Sequence, residues 1–321
     1  MSSARTGHTA TLLSSGKVLI TGGGDWQKSV SSCELYDPSI NTWITVANMS
    51  SARYDHTATL LPSGKVLVTG GLDSSPLTYL STCELYDPSI NTWIKVANMS
   101  YRRTGHTATL LPSGKVLVTG GLHSSPLTYL STCELYDPSL NTWITFANMS
   151  SARCDHTTTL LPSGKVVVIG GRVSILTSFL PTCELYDPSI NTWITVASMS
   201  YPRTGHTATL LPSGKVLVTG GFHSSPSTYL STWELYDPSL NTWITVANMS
   251  SARYDHTATL LPSGKVVVIG GRVSILTIFL SSCELYHPSL NAWITVANMS
   301  SARVGHTATL LPSGKVLVTG G

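Results

Sequence analysis

The chain has 321 residues, a formal net charge of +3 and only 11% charged side chains, against 26 glycines and 17 prolines. Its lysines and arginines are spread through the chain, so no basic stripe of the kind needed for nucleic acid or an anionic membrane surface is formed. No apolar run nears the roughly 20 residues of a membrane span, and the opening Met-Ser-Ser-Ala-Arg lacks a signal peptide's apolar stretch. The expected location is therefore cytoplasmic, or extracellular if a leader is missing from this sequence.

A repeat of 50 residues organises the chain. The string His-Thr-Ala-Thr-Leu-Leu, a turn, and Lys-Val-Leu-Val-Thr-Gly-Gly recurs with small changes from His8, His56, His106, His156, His206, His256 and His306. A second string, Cys-Glu-Leu-Tyr-Asp-Pro-Ser-Ile-Asn-Thr-Trp, recurs from Cys33, Cys83, Cys133, Cys183, Trp233 and Cys283. A period of this length without helical spacing marks a propeller, in which one repeat cannot bury its own faces. The reading is an all-β propeller forming one domain over 1–321. Repeats fall at about 1–50, 51–100, 101–150, 151–200, 201–250 and 251–300, with a half repeat at 301–321.

Within the second repeat, His56 to Leu61 and Lys65 to Thr69 are runs of Thr, Val and Leu around Pro62-Ser63-Gly64. Pro at the second turn position and Gly at the fourth suit a type I turn, which predicts hairpin strands a and b. Cys83 to Tyr86 and Thr92 to Ala97 predict strands c and d across Asp87-Pro88-Ser89, where the Asp carboxylate can hold the following amides. Each repeat is thus a four-stranded antiparallel blade. Six are complete, and a seventh a-b half blade ends the chain.

The double glycine Gly70-Gly71, Tyr86-Asp87, Trp93, and Arg53 with His56 in Arg-x-x-His resemble the kelch motif, and the match covers essentially the whole chain. That resemblance implies a kelch-type β-propeller with strand a along the channel and d on the rim. The wording Leu-Leu-Pro-Ser-Gly-Lys-Val-Leu-Val is similar in particular to kelch repeats of galactose-oxidase-like proteins. Met1 stands where Met49 stands in the next repeat, so a piece of a longer propeller is also expected to read this way.

The repeated residues have structural readings. Trp43, Trp93, Trp143, Trp193, Trp243 and Trp293 are expected to fill the gaps between blades. Equivalent cysteines on sheets about 10 Å apart lie beyond disulfide reach, and histidines so spaced cannot share an ion, so free thiols and interior imidazoles are expected. Arg5, Arg53, Arg103, Arg153, Arg203, Arg253 and Arg303 recur beside Glu34, Glu84, Glu134, Glu184, Glu234 and Glu284. A mid-strand carboxylate needs a partner, which predicts a repeated bridge. The Asn-Met-Ser sequons at Asn48, Asn98, Asn148, Asn248 and Asn298 are read as borne by the repeat.

Variation gathers in the b-to-c segments and in the d-to-a approach, where Asp55, Asp155 and Asp255 alternate with Gly7, Gly105, Gly205 and Gly305. Antiparallel strands put these connections on one face, where binding is usually placed. Candidate binding-face residues are Asp25, Trp26, Asp55, Asp73, Tyr79, Arg102, His123, Tyr129, Asp155, Arg172, Phe179, His223, Tyr229, Asp255, Arg272 and Phe279. Aromatic residues and arginines are the usual anchors of protein interfaces. They favour a non-enzymatic protein-binding scaffold with a protein or peptide partner, no cofactor and no metal. The alternatives are a fragment of a galactose-oxidase-like copper-radical oxidase, which would need two tyrosines, a Tyr-Cys crosslink and two His ligands, or a kelch-like sugar isomerase. For the oxidase, only His123, His223 and His287 lie off the strand-a series, and for the isomerase no unique carboxylate stands out.

Overall fold

The computed structural model describes residues 1–25, 27–124, 126–174, 178–224, 227–273 and 278–321. Among them the chain forms six four-stranded antiparallel sheets and no helix. In the second repeat, strand a is Thr57–Leu60, b is Val66–Thr69, c is Cys83–Asp87 and d is Thr92–Val96, side by side in that order. Thr57 faces Thr69, Val66 faces Tyr86, and Tyr86 faces Trp93 across the ladder. The architecture is the expected kelch-type β-propeller, its blades being those read from the repeats.

Turn chemistry fixes each blade. Gly64 takes a φ of +80° and its N–H donates to Leu61 O at 2.9 Å, closing the a-to-b turn. At the c-to-d turn, Asp87 Oδ1 accepts the Ser89 N–H at 3.0 Å and its hydroxyl at 2.6 Å, and Lys65 Nζ reaches Asp87 Oδ2 at 2.9 Å. The Ser89 hydroxyl and the Lys65 ammonium hold the Asp87 carboxyl down to about 2. Asn91, in the left-handed region, accepts from Tyr86 Oη at 3.0 Å and from the preceding blade's Ala47 N–H at 2.9 Å.

Strand b is buried along its whole length because neighbouring blades cover both faces, which is why it reads Val-Leu-Val rather than alternating. Leu13, Leu19, Cys33 and Met49 of the first blade pack against Val66, Val68 and Tyr86 of the second, with Trp93 at the edge donating from Nε1 to Ala47 O at 2.8 Å. The tryptophans thus seal gaps between blades, as expected. All six cysteines are free and buried, and burial pushes the Cys33 and Cys83 thiols up to about 12.

Two compact units are defined, Met1–Cys154 with Leu311–Gly321, and Asp155–Leu310. In the first, the C-terminal segment lies against the first blade. Leu311 and Leu317 pack with Val18, Ile20 and Trp43, and Gly321 N–H donates to Arg5 O at 2.9 Å. That is the bond by which Gly23 meets Arg53 and Gly71 meets Arg103, so the end of the chain takes toward the first blade the place each blade takes toward its successor. In the second unit the same register recurs, with Leu161, Val167 and Cys183 packed against Val216, Val218 and Tyr236.

The b-to-c segments, read from sequence as loops, differ from that expectation in three repeats. Leu72–Ser74 pairs with Leu77–Tyr79, Leu122–Ser124 with Leu127–Tyr129, and Phe222–Ser224 with Ser227–Tyr229. The short ladder satisfies backbone groups that a free loop would leave to water. In the two Arg-Val-Ser repeats the described residues form one isolated bridge each, Arg172 to Phe179 and Arg272 to Phe279.

Candidate functional site

The repeated polar residues form scaffold. Arg53 Nη1 donates to Gly70 O and Thr82 O at 2.8 Å, and Nη2 to Thr82 Oγ1 and Glu84 Oε1 at 2.9 Å. Glu84 Oε2 accepts the Ser50 N–H at 2.7 Å. Arg5–Glu34, Arg103–Glu134, Arg203–Glu234 and Arg253–Glu284 repeat the 2.9 Å pairing, all buried. The strand-a histidines are buried as latches between blades. His56 Nε2 lies 2.9 Å from Thr21 Oγ1 and 3.1 Å from Thr9 Oγ1 of the preceding blade, and His256 Nε2 lies 2.9 Å from Thr219 Oγ1. Burial pulls His56, His106, His206 and His256 down to about 3, so each imidazole is neutral.

The alternation at the d-to-a approach has a physical cause. Gly7, Asp55, Gly105, Asp155, Gly205, Asp255 and Gly305 all have φ between about +50° and +64°. Glycine enters this region freely, and Asp is among the few other residues that tolerate it. At two of these positions the next blade's tyrosine lies over the glycine: a Cβ on Gly205 would sit 2.2 Å from the Tyr254 ring, and one on Gly7 would sit 2.6 Å from Tyr54. Aspartate stands in the blades that supply the residue covering the glycine.

In the second unit this arrangement builds a continuous polar and aromatic cluster. Arg172 Nε meets Asp155 Oδ2 at 2.7 Å, and Arg272 Nη2 meets Asp255 Oδ2 at 3.1 Å. The Arg272 guanidinium stacks 4.6 Å over the Tyr254 ring, and the two backbones exchange hydrogen bonds of 2.9 and 3.0 Å. Tyr254 stands edge-on to Tyr229 at 6.0 Å and to Phe222 at 6.1 Å, and Phe222 meets Phe179 at 5.6 Å. Phe279 is 45% exposed beside Arg272.

Asp255 is the chemically distinct member. Its side chain keeps 35% accessibility, yet protein atoms crowd it enough to desolvate the carboxyl. That desolvation, joined by the Asp155 charge and opposed by Arg272, raises its pKa to about 6. Burial and the two carboxylates raise the Tyr254 phenol as well.

The remaining sequence candidates make other contacts. His223 stands edge-on to the exposed Tyr201 at 6.1 Å within the same unit. In the first unit, His123 Nδ1 lies 3.1 Å from the carbonyl of exposed Arg102, and its ring is 6.2 Å from Tyr101. Asp73 Oδ1 accepts the Ser29 hydroxyl at 3.0 Å. Asp25 caps its own turn, where the Gln27 and Lys28 N–H groups lower its pKa. Asp55 N–H donates to Gly7 O, and Tyr79 and Tyr129 are half-buried on their short hairpins. Trp26 lies outside the described residues. Sequence reasoning missed Tyr254 and Phe222. The available signal was that Tyr54, Cys154 and Tyr254 precede the aspartates while Thr or Val precedes the glycines.

The family model for the Attractin/LZTR1 beta-propeller matches residues 1–228, and the Kelch motif matches residues 253–300. No curated protein matches the sequence. Among solved structures, a fungal alcohol oxidase of the AA5 family in complex with copper is similar with a TM-score of 0.80 at 17% identity, over 99% of this chain and 70% of its own. YjhT is similar with a TM-score of 0.73 at 16% identity, over 92% of this chain and 99% of its own. These likenesses concern the fold. They nevertheless overturn the expectation that the chain is not an enzyme, because a propeller of this form carries an alcohol oxidase. Among the described residues no three His, Cys, Asp or Glu side chains converge as a metal set, and the strand-a imidazoles of His56 and His256 are turned onto threonine hydroxyls.

Proposed function

The chain belongs to the Attractin/LZTR1 β-propeller family, and we propose that it is a recognition propeller that holds a protein segment on the b-to-c and d-to-a face of its second unit. The observation that carries this reading is the run Phe179, Phe222, Tyr229, Tyr254, Arg272 and Asp255, a contiguous patch of aromatic rings ending in a stacked guanidinium. Aromatic residues and arginine are the residue types enriched at protein interfaces, and truncating such an anchor typically costs about 2 kcal/mol or more. Peptides selected from a random library on the intact protein at neutral pH test it. Arg272→Ala should weaken the selected peptides by about tenfold or more. Ser63→Lys with Ser89→Lys, on the a-to-b and c-to-d turns, should leave them bound. The reverse pattern puts recognition on the wrong face.

A second reading, acid–base catalysis on a sugar, is favoured by one observation: Asp255 is a recessed carboxyl with a pKa near neutrality beside a tyrosine. Its test is solvent deuterium incorporation into a panel of reducing sugars. Exchange that disappears in Asp255→Asn supports it, and no exchange with the unaltered protein removes it.

A further inference from the structure

We propose that protonation of Asp255 turns Arg272 into an anion-binding site, so that the cluster accepts an anionic group in mildly acidic solution and releases it at neutral pH. The proposal rests on the reading of this cluster as a recognition site and adds its ligand class and its control.

The geometry separates two arginine–aspartate pairs that look alike in sequence. The charged and titratable groups facing Asp255 are Arg272, Asp155, Arg172, Tyr254 and Tyr229. With both carboxylates ionised, two guanidinium charges are balanced by two negative charges and the cluster offers an anion nothing. Removing the Asp255 charge leaves one positive charge in excess, and that charge resides on Arg272.

What makes this a site is that Arg272 stays in place when its partner is neutralised. Its guanidinium is stacked 4.6 Å over Tyr254, and its backbone is bonded to Tyr254 in both directions. Stacking on an aromatic ring holds a guanidinium without consuming its donors, which remain free to form a charge-assisted fork with a carboxylate or phosphate. In the sister pair Cys154 stands where Tyr254 stands, and Arg172 meets Asp155 at 2.7 Å.

Desolvation and the nearby Asp155 carboxylate place the Asp255 titration at about 6, between the two conditions to be compared. Sulfate is the probe, because its own charge does not change between about pH 5 and about pH 7.5. Titrated by calorimetry, sulfate should bind about thirtyfold more tightly at the lower pH, the ratio of protonated Asp255 at the two values. Asp255→Asn, which fits the left-handed backbone as Asp does, should bind at both pH values with the acid-form affinity. Arg272→Gln should bind at neither, with unchanged circular dichroism. Equal affinity of the unaltered protein at both pH values, a persisting pH dependence in Asp255→Asn, or no binding under any condition would each overturn the anion site. The peptide selection at neutral pH reads the recognition face by a separate measurement, so failure of the anion site and failure of that reading are distinguishable.

Discussion

At the scale of single residues, the buried glutamates hold the fold, while the half-exposed Asp255 works against it. Glu134 accepts from Arg103 Nη2 at 2.9 Å and from the Ser100 N–H at 2.7 Å, with no exposure to solvent. Glu134→Ala leaves Arg103 buried and unpaired, which costs about 3 to 5 kcal/mol, and thermal melting at neutral pH should show a clear drop. The histidines give a pH dependence whose sign is fixed. Their folded pKa values of about 3 lie below the ordinary value of 6.5. Above pH 6.5 they are neutral in both states and exert no effect. As the pH falls below that value the unfolded chain takes up protons that the folded one refuses, and each such histidine removes about 1.4 kcal/mol per pH unit. The turn aspartates Asp37, Asp87, Asp137, Asp187 and Asp237, held at about 2, add to the loss only below their ordinary value of 3.8. Denaturant midpoints should therefore begin to fall near pH 6 and steepen below 4. Asp255 has the opposite sign, since its raised pKa means that its contribution is lost as pH rises through about 6. Asp255→Asn should not lower the melting temperature at neutral pH, in contrast to Glu134→Ala.

Single elements show what could be read in advance and what could not. Strands and turns were legible because local chemistry determines them: Pro62 and Gly64 close one turn, Asp87 and Ser89 the other, and the unbroken apolar run at Val66–Thr69 marks a strand covered on both faces. The Arg–Glu bridges were legible because a mid-strand carboxylate in a packed sheet demands a cation. The Asp–Arg–Tyr cluster was legible only in part. Arg172, Arg272, Asp155 and Asp255 stood out as departures from the consensus, but the reason for the Gly and Asp alternation is a contact between residues about 50 apart in the chain, Tyr254 over Gly205. Nothing local in the sequence announces that contact. Two glycines test how far local and neighbour effects differ. Gly64, at φ +80°, has open space where a Cβ would go, whereas a Cβ on Gly70 would lie 2.7 Å from Arg103 O and 2.8 Å from His106 Cε1. Gly64→Ala should cost about 1 to 2 kcal/mol from backbone strain alone. Gly70→Ala should cost clearly more, because it also pushes the following blade away. Equal melting temperatures for the two variants would mean that blade spacing adjusts freely.

For the molecule as a whole, each blade is stable only with a neighbour to cover strand b, and the first blade finds that cover in the end of the chain. Leu311 and Leu317 pack on Val18, Ile20 and Trp43, and the Thr319 hydroxyl lies 3.2 Å from His8 Nε2. Removing Leu311–Gly321 strips this cover from the first blade while leaving its own four strands paired. Fully burying a leucine side chain is worth about 1.5 to 3 kcal/mol, so losing buried Leu311 should remove about that much from the first unit, with half-buried Leu317 adding less. It also exposes apolar Val18 and Ile20 beside Trp43, a surface prone to association. The truncated protein should bind a hydrophobic dye, scatter light at lower temperature than the full chain and, as the destabilised first blade loosens from the second, admit a thiol reagent to Cys33, which is buried against Val66 and Val68. Cys183, which packs in the second unit with Met199 and Tyr236, should stay protected. Labelling of Cys33 and Cys183 at equal rates would show that loss of the end unfolds both units together. Unchanged dye binding and an unchanged melting curve would show that the first blade does not depend on the last strand.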